Sequence, residues 1–165
     1  MTNFSTTNLS SHLWEAANIL CGSAVDRTDW KGYILPLLFF KRISDVWDEE
    51  HTRMLADYGE DFTDEHRFQI PDGCHWDDIR STAQNVGAAL KHAMQEIERV
   101  NPDTLTRVFG TGDWGNKEKF TDELIKDMVE GFSAIELGNN AVDTDVLGDA
   151  YEYLVGKFAD VTRRN

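Results

Sequence analysis

A glycine motif is the part of this sequence whose residue types and spacing point most directly to chemistry. Residues 110–115 read GTGDWG, the Gly-x-Gly-x-x-Gly spacing with which a backbone approaches a dinucleotide pyrophosphate. That chemistry requires a buried strand before the glycines and a helix directly after them. Here the preceding residues give few strand-like positions, and residues 116–119 separate the motif from the next helical pattern. We therefore predict a turn between helices and no cofactor site in this chain.

Two acid-x-x-His pairs have the spacing of metal ligands. A carboxylate-bridged di-iron bundle carries such pairs on facing helices, so at least two helical pairs are needed. Asp48 and His51 lie on a predicted helix, but Asp72 and His75 lie on a Pro-Asp-Gly turn. Because the second pair lies on a turn and not on a helix, we predict no metal ligand, and we identify no catalytic residue in this chain.

The two cysteines and the apolar segments bear on the compartment. Cys21 and Cys74 lie far apart without a CxxC motif, which argues against a zinc knuckle and a disulfide framework. We expect Cys21, next to a helix-ending glycine, to be a small core residue. The first eleven residues lack the features of a signal peptide. The longest apolar block, residues 33–40, is shorter than the roughly 18 residues of a membrane span, so we expect a cytoplasmic protein.

Charge is strongly negative and unevenly distributed. The formal net charge is -14, with 30 acidic and 16 basic residues, which makes unaided binding to a phosphate backbone unfavourable. Four of the basic residues lie around the most apolar segment: Arg27, Lys31, Lys41 and Arg42. We expect a solvated or core-flanking role for them, and the alternative is an anchor for a phosphate or an acidic partner.

Helical periodicity dominates the elements that must position these residues. Apolar side chains recur at helical spacing, strand signals are nearly absent, and no internal repeat is present. The sequence predicts a mostly α fold, a bundle of about five to seven helices with at most a short β-hairpin near residues 66–72. Ser10 or Ser11 is expected to cap the first helix, and Pro36 to kink the second or to lie close to its start. The helices are expected near residues 10–20, 28–58, 76–79, 84–100, 105–109, 121–135 and 145–159.

Several segments of this sequence resemble one protein family. The most specific are LLFFKRISD at residues 37–45 and YEYLVGKFA at residues 151–159. Further similar segments lie at residues 13–22, at residues 68–76 and at residues 101–109. Together they resemble the N-terminal domain of the modification (M) subunit of type I restriction-modification systems, and the likeness covers nearly the whole chain.

The resemblance implies DNA adenine-N6 methylation with S-adenosylmethionine as the methyl donor in the full-length subunit. It implies a specificity subunit, a second M subunit and a restriction nuclease subunit as candidate partners, and DNA in the context of the complex. Residues 1–165 would form a single helical N-terminal domain, and the catalytic domain would follow residue 165. The family's donor-binding and Asn-Pro-Pro-Tyr/Phe motifs are absent from this sequence, so we expect this piece alone to be inactive and to bind no cofactor.

The resemblance also suggests which residues to test as contacts. Lys41 and Arg42 are candidates for a contact with DNA or a partner. A surface toward the catalytic domain is expected on the last helix, with burial inside this same bundle as the alternative, at Tyr151, Tyr153, Leu154 and Phe158. The alternative function is a stand-alone acidic interaction protein such as a DNA mimic, which the negative charge favours, and a third is a small helical metalloenzyme.

Overall fold

The part of the chain that the structure describes contains six α-helices and no strand. This computed structural model describes the backbone of residues 6–163 and the side chains of residues 8–160. The helices are α1 (Thr6–Ala17), α2 (Lys31–Tyr58), α3 (Trp76–Arg80), α4 (Val86–Val100), α5 (Asp122–Ser133) and α6 (Thr144–Arg163). The predicted mostly α bundle is therefore confirmed. None of the described helices is both long enough and apolar enough to cross a membrane.

Helix α2 is the central element of the bundle. Residues 33–38 are all buried, so this part of the helix is enclosed on every side. The helix begins at Lys31, and Pro36 lies inside it, in the second turn. Around α2, helices α3 and α5 pack against it, α4 packs against α3 and α5, and α1 packs against α5 and α6.

The first helix begins earlier than predicted and ends near the predicted glycine. Helix α1 begins at Thr6, and Ser10 is buried inside it, so the expected cap at Ser10 or Ser11 is wrong. A 3-10 turn, Asn18–Leu20, extends the helix toward Gly22, whose φ of 82° is the left-handed conformation expected of a helix-ending glycine.

A side chain takes the place of the predicted hairpin near residues 66–72. The backbone N–H of Gln69 donates to Oδ1 of Asn101 at 2.9 Å, and Nδ2 of Asn101 donates to the carbonyl of Gln69 at 2.7 Å. One buried amide therefore satisfies this extended backbone as a neighbouring strand would. The helix expected over residues 105–109 is also wrong, because that segment forms turns in which Arg107 has a φ of 60°.

Candidate functional site

The glycine motif forms a loop between α4 and α5 that is anchored by an aromatic residue. Trp114 is buried, and its ring packs edge-on against Tyr33 with centroids 5.1 Å apart and beside Phe120 at the same separation. A Cβ placed on Gly87 would lie 2.0 Å from the carbonyl oxygen of Trp114, and one on Gly112 would lie 2.9 Å from the Tyr33 ring. These glycines permit close packing of the loop.

Three cations surround a groove beside this loop. Lys31 at the start of α2, Arg107 and Lys119 line a groove of about 590 Å³, together with one carboxylate, that of Asp29. Lys31 and Arg107 are exposed and Lys119 is half-buried, and none of the three forms an ion pair with another described residue. In a chain of net charge -14, this groove is a local concentration of positive charge.

Lys41 is enclosed in the bundle. The residue is 4% exposed, its ammonium pairs with Asp45 one turn later, and the ammonium donates to the carbonyl of Ile135 at 2.8 Å. The N–H of Leu137 donates to Oδ2 of the same Asp45 at 2.8 Å. Burial raises the pKa of Asp45 above its usual value, although the neighbouring Lys41 opposes this shift. The geometry matches the core-flanking role that we expected for this lysine.

Arg42 and Glu49 bind the same connection between α5 and α6. Nη1 of Arg42 donates to the carbonyl of Leu137 at 2.6 Å, and Nη2 donates to the side-chain oxygen of Asn139. Glu49, two turns further along α2, accepts the backbone N–H of Asn140 at 3.0 Å. Arg42 is half-buried. The two predicted contact residues, Lys41 and Arg42, therefore both hold this connection against the central helix.

The four predicted residues of α6 separate into two pairs. Leu154 and Phe158 are buried, at 0% and 3% exposed, and the Phe158 ring packs 5.7 Å from that of Trp14 in α1. Tyr151 and Tyr153 are 37% and 40% exposed. The first pair therefore packs inside this bundle, whereas the second pair lies on its surface.

The two acid-x-x-His pairs of the sequence do not form a site together. His51 lies instead with Asp61 and His66, and this group is the one set of three metal-capable side chains found among the described residues. Asp48 is exposed and takes no part in it. Spacing along the sequence missed Asp61 and His66 because both follow the end of α2 and reach His51 only after the chain reverses.

The two cysteines are free thiols in different environments. Cys21 is exposed, so the expectation of a core residue at this position is wrong. Cys74 is buried, and burial raises the pKa of its thiol. A raised pKa keeps the thiol protonated at neutral pH, which does not favour a nucleophile.

Comparison with known protein families identifies the chain. The structure is that of an all-helical domain, in which a long central helix is enclosed by shorter ones. The family model of the HsdM N-terminal domain matches residues 9–132, well over half of the chain. The chain therefore belongs to this family, the N-terminal domain of the M subunits of type I restriction-modification systems. No curated protein gives a significant match. The resemblance found in the sequence is thus confirmed, and α6 lies outside the matched residues.

Proposed function

We propose that this chain is the N-terminal helical domain of a DNA adenine-N6 methyltransferase subunit of a type I restriction-modification complex. In that complex it supports assembly with the specificity subunit and engagement of DNA. The observation that carries the proposal is the family match over residues 9–132. Further partners would be a second M subunit and a restriction nuclease subunit. The methyl donor, S-adenosylmethionine, would belong to the catalytic domain of the full-length subunit.

The groove of Lys31, Arg107 and Lys119 is the surface that we assign to DNA. The groove has three positive side chains and one carboxylate, so its local charge is positive and attracts a phosphate, although the chain as a whole is acidic. Side chains without an ion-pair partner keep their charge available to phosphates. Binding through such contacts releases counterions and therefore weakens as salt is added.

Lys41 and Arg42 act on DNA or partner binding through the connection that they hold. Their charged groups are directed at the carbonyls of Ile135 and Leu137, so the connection between α5 and α6 depends on them for its position. Replacing both by alanine in the full complex should weaken DNA binding in variants that circular dichroism shows to be folded. Unchanged affinity would remove both residues from this role.

The exposed part of α6 is the surface that we assign to the catalytic domain. Tyr151 stacks on Phe39 of α2 with centroids 5.8 Å apart, and Lys157 lies 5.5 Å from the Tyr153 ring. Exposed aromatic side chains of this kind are enriched at protein interfaces. Leu154 and Phe158 support the surface from inside the bundle.

DNA binding by the full M subunit with its specificity subunit tests the proposal. In the groove variant, Lys31, Arg107 and Lys119 are each replaced by serine, and the dissociation constant is measured at several salt concentrations. We expect weaker binding at low salt. The slope of the logarithm of the binding constant against the logarithm of the salt concentration should become shallower by about one for each lost phosphate contact. A control variant with serine at Arg53, Arg99 and Lys126 makes the same change in charge outside the groove. Equal effects of the two variants would contradict the assigned surface.

Assembly provides a second readout that separates this function from a DNA mimic. Deletion of the domain from the full subunit should reduce its association with the specificity subunit, measured by analytical ultracentrifugation. If the chain were a DNA mimic, residues 1–165 alone would compete with DNA for binding to a basic protein. Displacement of DNA from such a protein by residues 1–165 alone would contradict the proposed role.

A further inference from the structure

The end of α2 and the loop after it bring together two imidazoles and one carboxylate. Nδ1 of His51 lies 2.6 Å from Oδ2 of Asp61, and Nε2 of His66 lies 2.6 Å from Oδ1 of the same residue. The three candidate ligand atoms all lie within 4.8 Å of one another. One carboxylate thus lies between two imidazole nitrogens.

A glycine turn creates this arrangement. Gly59 ends α2 in the left-handed conformation, with a φ of 77°, which reverses the direction of the chain. The N–H of Phe62 then contacts Sδ of Met54 at 3.4 Å, and the 3-10 turn Thr63–Glu65 leads His66 back to α2. The loop therefore places its acid and its histidine beside a histidine of the preceding helix.

Trp47 fixes the orientation of both imidazoles. It lies one turn before His51 on the same face of α2, and its ring is nearly parallel to that of His51, at 5.0 Å and 16°. Its ring is also nearly parallel to that of His66, at 4.3 Å and 6°. Rings held in this way need little further ordering to bind a ligand.

The second nitrogen of His66 is positioned as in a metal-binding histidine. The His66 side chain is 1% exposed, and its Nδ1 faces Oε1 of Glu50 at 3.4 Å without forming a hydrogen bond to any described residue. Histidines that bind metals usually direct their second nitrogen at a carboxylate or carbonyl, which fixes the tautomer. Nε2 of His66 is consequently the nitrogen available to an ion.

Asp61 is accessible to an ion from solvent. A groove of about 780 Å³ reaches Asp61 from solvent. Its acidic lining residues are Asp57, Asp61, Asp64 and Glu65.

We propose that His51, Asp61 and His66 bind one divalent transition-metal ion of the Zn²⁺ class. Imidazole and carboxylate are ligands that suit Zn²⁺, and three protein ligands leave a fourth position for water. Ligand atoms bound to a tetrahedral ion at about 2.0–2.1 Å lie roughly 3.3 Å apart. The two 2.6 Å contacts therefore need to open by less than about 1 Å. The bound ion links the loop to α2. This metal site is independent of the proposed function.

Calorimetric titration of the tag-free, chelator-treated chain with Zn²⁺ tests the site. We expect one equivalent to bind. Asp61→Asn and His51→Gln should each weaken binding by at least about tenfold, because each removes a ligand while nearly preserving side-chain size. His75→Gln is the matched control, since that ring also contacts Trp47, at 4.5 Å, but lies outside the ligand set. Its affinity should equal that of the wild type.

Thermal unfolding gives an independent readout. Saturating Zn²⁺ should raise the Tm of the wild type and of His75→Gln, and should leave the Tm of Asp61→Asn unchanged, because an ion stabilises only the fold that binds it. Circular dichroism verifies that the variants are folded. No saturable binding to the wild type, or the same affinity in the wild type and both ligand variants, would overturn the proposal.

Discussion

Lys41 in α2 donates a hydrogen bond at 2.8 Å to the backbone carbonyl of Ile135, a residue 94 positions later in the sequence. The ammonium also pairs with Asp45 in the interior of the bundle. A buried ammonium is tolerated only when such partners replace its lost hydration. This lysine therefore ties the connection between α5 and α6 to the central helix.

Replacing this lysine by an apolar residue should destabilise the fold. Lys41→Met leaves the largely buried carboxylate of Asp45 without its cation, and loss of one partner of a buried pair costs about 3–5 kcal/mol. Urea denaturation monitored by circular dichroism at pH 7 measures the free energy of unfolding. Lys91→Met, at an exposed position of α4, should change it by less than about 0.5 kcal/mol. A Lys41→Met effect no larger than this control would show that the pair contributes little.

Two glycines in helices should respond in opposite directions to alanine. A Cβ on Gly87 in α4 would lie 2.0 Å from the backbone carbonyl of Trp114, so Gly87→Ala should cost about 1–3 kcal/mol of stability. Gly156 in α6 has nothing within 4 Å of such a Cβ. Gly156→Ala should therefore stabilise the chain by about 0.5–1 kcal/mol, through helix propensity alone. Stabilisation by both substitutions would mean that the glycine loop does not pack on α4.

The helices were predictable because their apolar spacing is local information. In α4, which was expected near residues 84–100, the apolar residues at helical spacing are buried in full: Val86, Leu90, Ala93, Met94 and Ile97. The glycine motif was likewise assigned correctly to a loop, since its flanking residues lack a strand and an immediate helix. These features depend on residues within a few positions of one another, which a sequence displays directly.

Contacts between distant residues explain what the sequence did not reveal. The amide of Asn101 satisfies the backbone of Gln69, and no local pattern distinguishes this from pairing with a strand. The buried ammonium of Lys41 depends on the carbonyl of Ile135, which lies beyond α5. His51 was recognised as a candidate ligand, but its partners depend on the turn at Gly59. The glycine's position after a long helical pattern was the signal that the chain reverses there.

Stability should depend on pH through Asp122 at the junction of α4 and α5. Its carboxylate accepts the N–H groups of Val86 at 3.0 Å and Asn85 at 3.1 Å, and these hydrogen bonds lower the pKa of Asp122. A carboxyl whose pKa is lowered by folding stabilises the fold above its unfolded-state pKa, and this contribution is lost as the pH falls through the folded-state pKa. Asp122→Asn should therefore lower the Tm at pH 7.

A pH series of Tm values for the wild type and Asp122→Asn checks this linkage. The difference between them should shrink as the pH is taken to the acid side of 3.8, the ordinary pKa of aspartate. Asp103→Asn, at an exposed position, serves as the control and should change the Tm little throughout. A Tm difference between the wild type and Asp122→Asn that stays constant across the series would contradict a stabilising role for the charge of Asp122.

Helix α6 should show one buried and one free face. Leu154 is fully buried, so Leu154→Ala should lower the free energy of unfolding of residues 1–165 by about 2–5 kcal/mol. Tyr153 is 40% exposed, and Tyr153→Ala should cost less than about 1 kcal/mol in the same measurement. In the longer M subunit, if the exposed tyrosines meet the catalytic domain, Tyr153→Ala should become distinctly more destabilising than in residues 1–165. An equally small effect in both proteins would place the interface with the catalytic domain elsewhere.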